Sequence, residues 1–247
     1  MFFSDCKTVV PVDVIFVIDE SGSVGEDHFK DSMNALTNAI DKLAIGEKLV
    51  RVGVSLFAGK GTSRPLLQLN SQYDKEAIKQ VFSTAVYQKG SYTDIGDAFH
   101  YVCTEMFKKE NGNRSDAQDY LILVTDGKSN SGSDPVIVQA ENCKRSGVRI
   151  ATVGVGGDTD EDLLKKIAFS LPNYYLLTVY DKLHETLPNL VIETLDCSSG
   201  MYNLLLKYAY VIVFYKVYIC IEATIEILNP TDSELFPVCF TLIVDVE

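Results

Sequence analysis

Val12-Asp13-Val14-Ile15-Phe16-Val17-Ile18-Asp19-Glu20-Ser21-Gly22-Ser23 is an apolar run, broken once by Asp13, that ends in an acidic, hydroxyl-rich loop. A run this short and this continuous reads as a strand covered on both faces. It delivers Asp19 to the strand's carboxyl end, with Ser21 and Ser23 in the loop beyond. Downstream, Phe29, Met33, Leu36, Ile40 and Leu43 recur at helical spacing across Glu26–Leu43. Lys48–Phe57 is a second strand, and Pro65–Leu69 a short edge strand. Asp74–Thr84 and Ile95–Lys109 read as helices. Tyr120–Val124 is another covered strand, closed by Thr125-Asp126-Gly127. Pro135, at a position suited to a first helical turn, opens a helix to Arg145. Arg149–Val155 and Tyr174–Val179 read as strands, and Asp160–Phe169 and Lys182–Leu195 as helices. Strands alternating with helices imply an α/β class: a doubly wound, mostly parallel six-stranded sheet flanked by helices.

The chain has 247 residues, 47% hydrophobic and 23% charged, enough for a full core. Lys and Arg total 22 against 34 Asp and Glu, a net charge of −12. Such a chain is a poor nucleic-acid binder, because phosphate contacts need clustered cations. Its organisation reads as an N-terminal flank over 1–11, a domain over 12–197 and a hydrophobic tail over 198–247. Tyr202–Ile221 has the length of a membrane span, but Lys207 and Lys216 oppose that. Lys216–Leu228 alternates like a strand. A membrane anchor, added strands and a segment foreign to the domain, such as intron read-through, all stay open for this tail. Met1–Asp5 lacks the basic and apolar regions of a signal peptide.

None of the six cysteines falls in a CxxC pair or has zinc spacing. Cys6 and Cys197 bracket the domain. A bridge between them would tie its ends and fit an oxidising compartment; unpaired thiols in a cytosolic chain are the alternative. Asn113-Arg114-Ser115 is a glycosylation sequon, a pattern that also arises by chance.

In an open parallel sheet, ligands bind beyond the carboxyl ends of strands where the strand order reverses. If the strands 12–18 and 120–124 are neighbours there, Asp19, Ser21, Ser23, Thr93 and Asp126 meet. Two carboxylates and three hydroxyls, with no His or Cys, suit a hard divalent cation: Mg²⁺, with Mn²⁺ or Ca²⁺ as alternatives, ahead of zinc. A set with so few carboxylates leaves the cation electrophilic enough to take an acidic ligand from outside. Taken alone, Asp-x-Ser-x-Ser reads as turn and capping chemistry before it reads as a metal site. A phosphoryl-accepting Asp19 would need a second acid two residues on, where Ser21 stands, so no enzyme is expected. His28, His100 and His184 fall on separate helices without companion ligands. Asp158–Asp162 lacks EF-hand spacing, and Gly59-Lys60-Gly61-Thr62 is not a phosphate loop.

Val12–Ser23, Gly90-Ser91-Tyr92-Thr93-Asp94-Ile95-Gly96-Asp97-Ala98-Phe99 and Leu121-Ile122-Leu123-Val124-Thr125-Asp126-Gly127 together resemble the three motifs of the von Willebrand factor type A domain, also the inserted domain of integrins. The resemblance covers about residues 12–195. It implies a metal-ion-dependent adhesion site at Asp19, Ser21, Ser23, Thr93 and Asp126, with a partner's Glu or Asp completing the coordination. The flanking cysteines resemble those of matrilins and collagen VI. The family's strand order places the helices 95–109 and 134–145 on one face, so Cys103 and Cys143 could pair or stand as two buried thiols. The expected function is a secreted adhesion or matrix-assembly module binding a protein such as collagen. A matrix protein with an idle site, assembling through other faces, and an intracellular scaffold are the alternatives.

Overall fold

The computed structural model describes residues 11–129, 135–169 and 175–195. Cys6, Cys197 and the tail 198–247 lie outside them. Among the described residues no helix is long and apolar enough to cross a membrane.

Eight consecutive buried residues form β1 (Val12–Asp19), the centre of a six-stranded sheet. β2 (Val50–Phe57) lies on one side of it and β4 (Gln118–Thr125) on the other, both parallel. β3 (Arg64–Leu67) is an antiparallel edge whose Pro65 needs no ladder partner on its outer side. β5 (Arg149–Val155) and β6 (Tyr175–Thr178) extend the other half, giving the order β3-β2-β1-β4-β5-β6.

Side-chain alternation in β1 feeds two cores. Val14, Phe16 and Ile18 pack with α1 (Gly25–Lys42), α2 (Lys75–Ser83) and α6 (Tyr180–Thr194). Ile15 and Val17 pack with α3 (Ile95–Tyr101), α4 (Val136–Arg145) and α5 (Glu161–Ile167) on the opposite face. α3 and α4 therefore share a face. The strand order reverses between β1 and β4, which opens a crevice at their carboxyl ends.

Two elements differ from the sequence reading. The helix expected over Ile95–Lys109 leaves α geometry after Tyr101 and widens into a π turn over Val102–Met106, closed by Phe107 N–H to the Val102 carbonyl at 3.1 Å. β4 starts at Gln118, two residues before its apolar run, because it pairs in register with β1 from Val12 to Ile18: Asp13 stands opposite Asp119. Arg114 makes this polar pairing tolerable. Its guanidinium donates to Asp13 Oδ1 at 2.6 Å and to the Val12 and Leu49 carbonyls at 2.8 Å. A fully buried carboxylate needs such a partner.

Candidate functional site

Asp19 closes β1 with its side chain inside the protein. Oδ1 accepts from the Ser21 amide at 2.8 Å, and Oδ2 from the Thr125 hydroxyl at 2.6 Å. Both oxygens are thus oriented by the ends of the two strands that flank the reversal. Ser21 Oγ and Ser23 Oγ are 3.1 Å apart, and Ser23 Oγ donates to Asp126 Oδ1 at 3.1 Å. These bonds join the first and third motif loops.

The second loop arrives through Gly90. A Cβ there would collide with that of Ala58, so only glycine lets the loop lie against the end of β2. Ser21 and Gly90 form a bridge, and the Asp94 amide donates to the Ala58 carbonyl at 2.7 Å. Asp94 caps α3 by accepting from the Asp97 amide at 2.9 Å. Ser129 Oγ accepts from the Ile95 amide at 3.3 Å, coupling the third loop to the second. Thr93 is buried beside Gly127: a Cβ built on Gly127 would stand 3.7 Å from Thr93 Oγ1 and 3.9 Å from Ser23 Oγ. Asp19, Ser21, Ser23, Thr93 and Asp126 therefore come together from three loops, with Thr93 and Ser23 on either side of Gly127.

Burial pushes the Asp19 carboxyl up to about 6, against the pull of hydrogen bonds from Thr125 and Ser21, and Asp126 raises it further. Burial also raises the Asp126 carboxyl; the Ser23 hydrogen bond and nearby His28 oppose that. Tyr180 is shifted upward by burial first, then by the charges of Asp126 and Asp19. Two close carboxylates held by hydroxyls, without a basic side chain bonded to either among the described residues, suit a hard cation.

The remaining candidates lie elsewhere. His28 stacks on Tyr180 with ring centroids 3.8 Å apart, and His184 lies 3.6 Å from Glu185. Asn113 sits at the opposite end of the sheet, its Nδ2 donating to Asp119 Oδ2 at 2.9 Å. The sulfurs of Cys103 and Cys143 lie at bonding distance, with Cα atoms 5.6 Å apart. Sequence reasoning gave no role to Thr125, Ser129, Glu20 or Tyr87. Thr125 could have been found, since it adjoins Asp126 in the quoted motif. Glu20 could not, because its partner Arg64 is remote in sequence.

The family of the von Willebrand factor type A domain matches residues 13–189. This chain belongs to that family. The type A domain is 29% identical over 177 residues to the collagen alpha-1(XII) chain of Notophthalmus viridescens, covering 72% of this chain and 18% of that one. Matrilin-3 of Gallus gallus is 32% identical over 149 residues, covering 59% of this chain and 32% of matrilin-3. The chain thus spans a minor part of these relatives. Proximal thread matrix protein 1 from the mussel byssus, solved with its MIDAS motif occupied by zinc, superposes with a TM-score of 0.70 at 28% identity, over 78% of this chain and 49% of that one.

Proposed function

We infer that this type A domain is a secreted, non-catalytic adhesion or matrix-assembly module that takes a divalent cation at Asp19, Ser21, Ser23, Thr93 and Asp126. The observation that carries the reading is the convergence of those five side chains beside Gly127. The zinc-bearing motif of the mussel protein and the kinship with collagens and matrilins support it. Oxygen donors favour Mg²⁺ as the resident ion, with Mn²⁺ or Ca²⁺ as substitutes.

A bound divalent ion would supply a Lewis-acidic point for a partner's carboxylate. The residues do the rest. Asp19 and Asp126 neutralise the ion's charge. Ser21, Ser23 and Thr93 offer oxygens without adding charge, so attraction for a third carboxylate survives. Thr125 and the Ser21 amide hold Asp19 in one orientation. The chain's charge of −12 repels an acidic partner at long range, so contact with one depends on the cation and weakens when it is removed.

The partner is a matrix protein presenting an exposed Glu or Asp, such as collagen. Binding to immobilised collagen in Mg²⁺ should vanish in EDTA, return on adding Mg²⁺, and be absent in Asp19→Ala. Collagen binding that ignores both treatments rejects the mechanism. Self-assembly that persists in Asp126→Ala would assign assembly to other faces of the domain.

A further inference from the structure

Glu20 lies between two of the converging residues, yet its side chain is only 3% exposed and is paired. Oε2 accepts from Arg64 Nη2 at 2.8 Å and from the Gln88 amide at 3.3 Å. Arg64 Nη2 also donates to the Val86 carbonyl at 3.4 Å. The Glu20 backbone joins the same ties: its N–H donates to the Phe57 carbonyl at 2.8 Å, and its carbonyl accepts from the Gly90 amide at 3.1 Å. One residue on, the Tyr87 hydroxyl donates to the Ser21 carbonyl at 2.8 Å and accepts from the Gly25 amide at 3.2 Å.

These bonds connect the Asp19–Ser23 loop, its β3 neighbour Arg64 and the first residue of α1 to the stretch that leads into Thr93. That stretch contains Lys89 at φ 53°, the positive-φ residue other than glycine among the described residues. A backbone in that conformation is kept by its surroundings. We propose that Glu20 and Tyr87 are positioning residues that fasten the second motif loop to the first, so that Thr93 reaches the site in step with Ser21 and Ser23. Neither side chain supplies a ligand. Glu20 acts as an acceptor for Arg64 and Gln88, and Tyr87 as a hydroxyl bridge.

The metal half of this proposal rests on the cation-site reading; the tether itself does not. The experiment therefore has two arms, run on the full chain. Hydrogen exchange in EDTA reads the tether, and Mn²⁺ titration calorimetry well below the melting temperature reads positioning. Loss of the acceptor oxygen for Arg64 and Gln88 should make amide exchange in 86–90 about tenfold faster in Glu20→Ala and weaken Mn²⁺ binding by about tenfold. Glu20→Gln keeps an acceptor oxygen and should stay within about threefold of the native protein in both arms. Tyr87→Phe keeps the ring, so it carries the test if Glu20→Ala does not fold. It should shift both readouts in the same direction by about threefold.

Unchanged exchange in Glu20→Ala, or in Tyr87→Phe where that stands in, overturns the tether. Faster exchange with unchanged Mn²⁺ affinity overturns the positioning role and leaves a structural one. A Glu20→Gln protein as weak as Glu20→Ala overturns acceptance as the cause, in favour of charge. If the native protein binds no Mn²⁺, the cation-site reading fails and positioning fails with it, while the exchange arm still decides the tether.

Discussion

Asp119 shows how far one side chain can stand from its apparent pattern. It lies beyond the apolar part of β4, faces Asp13 across the β1–β4 pairing, and keeps Oδ1 buried without a partner. Burial pushes its carboxyl up to about 6, the Asn113 hydrogen bond opposes this, and Asp13 adds to it. The folded state thus holds this proton more tightly than the unfolded chain, where the ordinary value is 3.8. Its contribution to stability is complete below pH 3.8 and is lost as pH rises through about 6. Asp119→Asn should therefore raise stability at pH 7.5 and flatten the dependence between pH 4 and 6, by urea unfolding at each pH. Native-like pH dependence in that variant would remove Asp119 as the cause. Gly90 is the complementary case, where an added atom does harm. Gly90→Ala forces overlap with Ala58, and should cost about 1–3 kcal/mol in urea unfolding. It should also weaken cation binding, because the loop carrying Thr93 is displaced.

At the scale of elements, continuous apolar runs revealed β1 and the inner part of β4, and helical spacing revealed α1. Phe29, Met33, Leu36 and Ile40, chosen from spacing, are all buried. Sequence could not show the π turn at Val102–Met106, because its buried residues Val102 and Met106 stand four apart, as on an α-helix. Nor could it show that β4 includes Gln118 and Asp119, whose side chains bond to the Gly147 carbonyl and to Asn113 outside the strand. The π turn carries Cys103 beside Cys143 of α4, and these two elements follow the loops bearing Thr93 and Asp126. A disulfide between them, at a separation of 40 residues, restricts the unfolded chain by about 4 kcal/mol in the chain-entropy view. The double variant Cys103→Ser/Cys143→Ser should melt at a lower temperature than the oxidised protein. Reductant should lower the melting temperature of the native chain and leave the variant unmoved. Equal melting of oxidised and reduced native protein would rule out a stabilising bridge.

For the whole molecule, the site is a consequence of topology. Three stretches remote in sequence meet because the strand order reverses between β1 and β4. That meeting was legible only on the condition that the strands ending at Asp19 and before Asp126 are neighbours, as β1 and β4 are, with Thr93 brought in by the loop that enters α3. The ties from Glu20, Tyr87 and Ser129 were not, because side-chain partners between distant loops leave no periodic trace. A cation that binds only the folded site must also stabilise the fold, by about 2.7 kcal/mol at a hundredfold excess over its dissociation constant. The most direct measurement is anomalous diffraction from crystals soaked in Mn²⁺. It should show one strong peak within bonding reach of oxygens from Asp19, Ser21, Ser23, Thr93 and Asp126, lost in Asp126→Ala crystals. A fully soaked crystal with no peak there, or with its strongest peak at another group of side chains, would contradict the account.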